Sequence, residues 1–462
     1  MVASLEAAAA APEALAGTIL GLMLAVGLLV ALRRPRSTSS HLWRPSNAHG
    51  FLPATVPPPQ PRLLRAEELL TRLPELVSDH SVTEAIATLP EVDLPNLLAA
   101  CATPLEAEML AERAALVYAF LGYAYLRGDA SLTLPRTIAV PWHAAAAAVG
   151  RAPTLDYVAT VLANPAGIAT FTGLEDERFF YEHHVRIERA AAPAVGALAR
   201  ASSMRWRLSP TELTRALEGV AIGVKAMAEL LPEMAVGCGP EVFHGVIRDC
   251  LAGIGGRVEF EGVRDVDGAP YRRTLTGASG AQSAVMPCVD AFLGIGHAGR
   301  HELQEWSGDA LAHLPPPHRA LLLRLRARAP GSTAVVQRTI DRLGSGGGSG
   351  GGWPVGAATA KASAEQAEAL RAAHGACIEA LGAFRKAHMA LVRSYIIQPD
   401  KAARPGSPTT IVSTPPLLGT GGSELSGFLS GRLLDTVRAG LGRCPVRPPA
   451  AAAASCPHAL PA

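Results

Sequence analysis

Aromatic residues make up only 5% of this 462-residue chain, and charged residues only 18%. Few aromatics together with frequent alanine runs favour helix over sheet. The 42 basic residues nearly cancel the 40 acidic ones, leaving a net charge of +2. With no basic stripe either, nucleic acid is not expected as a partner. The seven cysteines (Cys101, Cys238, Cys250, Cys288, Cys377, Cys444 and Cys456) are odd in number and scattered, and no CxxC occurs. This excludes a zinc ribbon and a disulfide framework, and leaves buried thiols in a reducing compartment as the simplest reading. Walker loop, HExxH and EF-hand patterns are also missing. The literal GxSxG from Gly347 to Gly351 falls inside the tract GSGGGSGGG with no strand before it, so it is no nucleophile elbow.

What is present points to a large helical protein. Apolar residues reach 49%, enough for a sizeable core, and the length suits two or three domains. Ala14 to Leu32 is a run of nineteen residues without a charge, preceded by Glu6 and Glu13 and followed by Arg33, Arg34 and Arg36. A bilayer-spanning helix needs about 20 apolar residues, and basic residues favour the cytosolic side. Residues 1–36 are therefore expected to hold a single-pass membrane anchor, with the catalytic remainder cytoplasmic. The basic cluster lies on the wrong flank for a secretory signal. Residues 37–62 read as a Pro-rich linker. From Arg65 onward helical spacing dominates: Leu69, Leu70, Leu73 and Leu76 share a face, and Pro74 is expected to kink or restart that helix. A flexible loop is expected at 344–352, an irregular Pro/Gly/Thr-rich stretch at 401–422 and a disordered tail at 444–462.

The fourteen histidines are the informative residues. His41, His49, His80, His143, His313, His318, His374 and His458 lie in loops, termini or polar faces, where solvation is the default. His297 and His301 are four apart but lack the glutamate of a zincin and sit among glycines. His388 differs. It continues the apolar series Leu370, Ala373, Cys377, Leu381, Phe384, Leu391 and Tyr395, so its helix aims an imidazole into a buried face. Either a neighbour satisfies it as a core histidine, or it binds a metal such as haem iron, which suits imidazole. His184 shares a stripe with Phe180, Ile187 and Ala191, and His183 shares the other face with Arg186.

An ordered set of motifs then brings in a resemblance. HGFLP at 49–53, DYVATVLAN at 156–164, FFYEHHVRIERAAAPAV at 179–195 and VFHGVIR at 242–248 come first. GASGAQSAVMPCVDAFLGI at 277–295, LPPPHR at 314–319, FRKAHMALVRSYIIQP at 384–399 and GTGGSEL at 419–425 follow. Together they span nearly all of residues 45–440, and the chain resembles the indoleamine 2,3-dioxygenase family. The resemblance implies a haem-dependent enzyme that opens the indole ring of L-tryptophan with O2 to give N-formylkynurenine, the first step of the kynurenine pathway. It implies haem b carried on His388, with an unidentified reductant keeping the iron ferrous. The implied fold is all-α, a small helical domain (63–170) packed on a larger haem-binding helical domain (171–443).

Residue by residue, the match assigns Arg248 to the substrate carboxylate, for which a planar guanidinium fork is well shaped. Tyr157, Phe180 and Phe243 match apolar walls around the indole. Ser279 and Gly280 match a small-residue turn against haem and substrate, its glycines permitting close backbone approach. Gly419, Thr420, Gly421 and Gly422 match a mobile loop that closes over the bound amino acid. Asp290 and Arg385 match positions beside the proximal helix, where they orient the imidazole or form a plain ion pair. His184 stands where indoleamine dioxygenases commonly carry a small distal serine, although a one-residue slip would bring His183 there. It then either hydrogen-bonds the indole N–H or crowds the iron. In the second case the protein would be a membrane-tethered haem-binding sensor with little dioxygenase activity.

Overall fold

The computed structural model describes residues 40–129, 131–203, 208–295, 311–327, 332–344, 357–402 and 431–436. The apolar run 14–32, the tract 345–352, the GTGG motif at 419–422, the tail 444–462, and His297, His301 and His458 lie outside the described residues. Among the described residues, no helix is long and apolar enough to cross a membrane.

Helices begin where the chain supplies caps. After Pro61 come α1 (Leu64–Thr71) and α2 (Leu73–Ser78), with Pro74 in the first turn of α2, where its missing N–H is of no consequence. The expected restart occurs, and Leu69, Leu70, Leu73 and Leu76 are all buried. α3 (Val82–Ala87) and α4 (Leu94–Ala99) lead to α5 (Pro104–Gly128), capped by Thr103, whose hydroxyl accepts from Glu106 N at 3.1 Å. From Leu110 to Ala124 every residue of α5 is buried, as befits a helix apolar all round. Gly122 lets it approach α6 (Arg136–Val149), since a Cβ there would lie 2.8 Å from the Trp142 ring.

α7 (Glu175–Ala190) opens with three acids in its first turn, the favourable end of the helix dipole. Among them, buried Glu177 accepts from Phe171 N (2.9 Å), Thr172 N (2.8 Å) and Tyr181 Oη (2.9 Å). α8 (Ala192–Ser203) and α9 (Pro210–Leu230) follow, α9 starting at a Ser209–Glu212 capping box. α10 (Val285–Leu293), α11 (Pro316–Arg326) and α12 (Ser332–Gly344) precede α13 (Ala357–Val392). The 36 residues of α13 span about 54 Å at 1.5 Å each. α13 packs most extensively on α9.

The fold is all-α in character, as expected, but carries one small sheet that helical periodicity overlooked. β1 (Thr133–Leu134) pairs parallel to β2 (Ile254–Arg264), which pairs antiparallel to β3 (Pro270–Leu275). The alternation in Val258-Glu259-Phe260-Glu261 marks β2: Val258 and Phe260 are buried beneath α6, and the two glutamates face outward.

Two hydrophobic cores result. One gathers α1–α6, the sheet, Phe243, Tyr395 and Ile396; the other gathers α8–α13. α7 serves both, giving Tyr181 and Val185 to the first and Ile187 to the second. Two histidines read as solvated belong inside: His313 is 4% and His318 1% exposed. The prolines of LPPPHR suggested a loop, yet Pro316 starts α11 and turns His318 inward, 4.4 Å from the Phe51 ring. Burial holds the His318 imidazole down at about 3, so it is neutral.

Candidate active site

A cavity of about 290 Å³ opens between the two cores. Tyr157, Phe180, His184, Phe243, Ser279, Gly280, Arg385 and His388 all line it, drawn from positions as much as 231 residues apart (388 minus 157). Arg248 does not line it. It follows the π-helical turn Phe243–Ile247, which delivers Phe243 to the wall but leaves Arg248 half-buried outside.

The aromatic wall is continuous. The Phe180 and Phe243 rings lie 5.0 Å apart, and Phe243 meets Tyr395 edge-on at 5.8 Å. Tyr395 is fixed by donating its hydroxyl to Cys238 O at 2.6 Å. Such a surface suits a flat apolar ring that needs contact rather than polar readout.

His184 and His388 face this cavity from α7 and α13. Each keeps some accessible surface although protein atoms enclose it, because that surface belongs to the cavity. Burial lowers both imidazoles below their ordinary range, His184 to about 4. Neither nitrogen of His388 has a hydrogen-bond partner among the described residues; its nearest ring neighbour is Phe384 at 6.2 Å. A core histidine satisfied by a neighbour is therefore not what His388 is. His183 is such a residue. Its Nε2–H donates to Leu230 O at 2.8 Å, Nδ1 accepts from Arg186 at 3.3 Å, and the ring stacks on Phe179 at 5.4 Å. Of the two adjacent histidines, only His184 reaches the cavity.

Arg385, three residues before His388, is committed to an ion pair. Its Nη2 donates to Asp290 Oδ1 at 2.6 Å and Oδ2 at 2.7 Å, and Arg432 Nη1 donates to the same carboxylate at 2.9 Å. Arg385 also donates to Arg432 O (2.7 Å) and to the Thr436 hydroxyl. Asp290 thus ties α13 to α10 and to the helical piece 431–436, and it makes no bond to His388.

The turn at Ser279 is held by its own side chains. Ser279 Oγ accepts from Ala281 N at 3.3 Å, and Gln282 Oε1 accepts from Tyr157 N at 2.8 Å, locking Tyr157 to the cavity floor. A Cβ at Gly280 would meet nothing within 4 Å, so the position leaves open space beside the cavity it lines. Gln282 and Arg432 were not singled out from sequence, nor was Glu188. Glu188 lies one helical turn past His184, lines the cavity and is 2% exposed. Tyr157 donates to its Oε1 at 3.2 Å, while Oε2 has no partner in good hydrogen-bond geometry. Burial pushes this carboxyl up to about 7, with the Ser283 and Tyr157 hydroxyls offsetting part of the rise. Its i+4 spacing from His184 was the available signal.

The site is that of a helical protein whose enclosed imidazole, His388, is offered to a flat apolar group between aromatic walls. The donor set fits haem: an imidazole without a hydrogen-bond partner among the described residues, facing a cavity walled by Phe180, Phe243 and Tyr395. Comparison with known proteins agrees. The model of the indoleamine 2,3-dioxygenase family matches residues 40–439, and the chain belongs to that family of haem-iron dioxygenases. It is 27% identical over 381 residues to rat indoleamine 2,3-dioxygenase 1, covering 77% of this chain and 84% of that one. It is 26% identical over 436 residues to the indoleamine 2,3-dioxygenase of Saccharomyces cerevisiae, covering 82% and 89%. A 6-hydroxytryptophan 2,3-dioxygenase of Fusarium equiseti is 26% identical over 415 residues, covering 82% and 92%.

Proposed function

We propose that this protein opens the indole ring of L-tryptophan with O2 to form N-formylkynurenine, using haem b carried on His388. The observation that carries the proposal is His388 itself: enclosed, neutral and without a hydrogen-bond partner among the described residues, in a cavity walled by Phe180, Phe243 and Tyr395. Haem, when bound, supplies the activation of dioxygen. The protein's own residues do the rest. The aromatic wall holds the indole ring flat, and a fixed pose lowers the entropy cost of the reaction. Tyr157, locked through Gln282 and Glu188, keeps the pocket edge rigid.

Arg248, half-buried just past the Phe243–Ile247 turn rather than on the cavity wall, is the proposed anchor for the substrate carboxylate. The lining guanidiniums of Arg385 and Arg432 are committed to Asp290 and hold the proximal helix in place. Thr420 with Gly419, Gly421 and Gly422 is proposed to close over the amino acid. The substrate could instead be a substituted indole, since one relative is named for 6-hydroxytryptophan. In the same reading residues 63–170 form a small amino-terminal domain and residues 171–443 a larger haem domain, an external reductant keeps the iron ferrous, and residues 14–32 tether the protein to a membrane.

Purified protein reconstituted with haemin and given tryptophan under O2 tests this. A Soret band together with product absorbance near that of N-formylkynurenine is the expected result. Haem binding without turnover would leave the haem-binding sensor, a reading that His184 favours by facing the cavity.

A further inference from the structure

His184 is more than a bulky replacement on the cavity wall. Its Nδ1–H donates to Phe180 O at 2.8 Å. That bond settles the tautomer, since a carbonyl can only accept, and it leaves Nε2 as a bare lone pair. Nε2 has no hydrogen-bond partner among the described residues. The phenol of Tyr157, whose ring lies beside His184, is already spent on Glu188. The ring itself is clamped, 4.3 Å from Phe180 and 6.1 Å from Tyr157. His388, on α13, lines the same cavity as His184, on α7.

A clamped imidazole with a fixed tautomer and an unused lone pair is what a metal ligand requires, and imidazole is a good ligand for iron. We propose that His184 Nε2 is a second protein ligand to the haem iron, so that substrate-free ferric protein holds a six-coordinate haem between His388 and His184. This rests on the haem reading of the preceding subsection. The step is a ligand exchange: the Nε2 lone pair forms a bond to ferric iron and a water molecule leaves, with no electron or proton transferred. Dioxygen or any external ligand must then displace His184 before it can bind. The residue would thus hold the site closed at rest.

The experiment uses the full-length protein reconstituted with haemin, with haem content measured first and helicity checked by circular dichroism. Low-spin signals in electron paramagnetic resonance and absorption spectra are expected for the ferric protein. His184→Ser and His184→Ala should each convert it to high spin and speed cyanide binding at least tenfold, while His183→Ser should stay low-spin. Native protein that is high-spin at full haem content overturns this assignment alone, as do His184 variants that remain low-spin. A folded chain that takes up no haem overturns the haem reading and this inference together.

Discussion

Glu188→Gln isolates the one acidic side chain among the described residues that line the cavity. Gln keeps the shape and still accepts from Tyr157, so the change removes a titration and little else. In the folded protein the Glu188 carboxyl sits at about 7 against an ordinary 4.5, because burial disfavours its charged form. Between those values the folded state binds the proton that the unfolded state has lost. Stability attributable to Glu188 therefore falls as pH rises from about 4.5 to 7 and is flat above that. At about 1.4 kcal/mol per unit, the shift amounts to roughly 3 kcal/mol. His184 and His318, both depressed, titrate with the opposite sign, gaining stability as pH rises through their window, so only the difference between variant and native protein reports Glu188. Urea unfolding followed by circular dichroism should find the two nearly equal at pH 4.5 and Glu188→Gln ahead by about 3 kcal/mol at pH 8. A difference that does not change with pH would refute the reasoning and mean that the carboxyl is solvated or paired.

His388→Ala should abolish stable haem uptake while the protein stays helical, read as Soret absorbance against circular dichroism on one sample. A merely packed histidine would leave haem content per folded molecule unchanged. Asp290→Ala strips buried Arg385 and half-buried Arg432 of their shared partner and should cost about 3–5 kcal/mol in urea unfolding, since it leaves the buried Arg385 charge without its ion pair. Arg248→Ala should raise the KM for tryptophan roughly 10- to 100-fold, the loss of one charge-assisted contact worth about 1.5–3 kcal/mol, at unchanged haem content. Equal loss of haem would make Arg248 structural. Deleting residues 1–36 should move the protein from the membrane to the soluble fraction of expressing cells; equal solubility of both forms would remove the anchor.

The helices, their restart at Pro74 and the inward aim of His388 were legible because each depends on neighbours in sequence: caps, proline geometry and a 3–4 apolar spacing. The sheet was missed although Val258-Glu259-Phe260-Glu261 alternates, because two-residue β1 and the bulged pairing with β3 make sense only against α6. His183 and His184 show the limit most clearly. Sequence turned both toward helix faces and preferred His184 by periodicity, but Leu230 O, which occupies His183, comes from another part of the fold. Glu188 was not singled out from sequence, because its burial exists only once α7 is set between the two cores. His318 likewise became a buried, neutral ring only when Trp43 and Phe51 closed over it. Local pattern determines which way a side chain points along its own helix. What it meets there, and hence its charge, its tautomer and its freedom to bind a ligand, is decided by segments far away in the chain, because dielectric and hydrogen-bond partners are properties of packing.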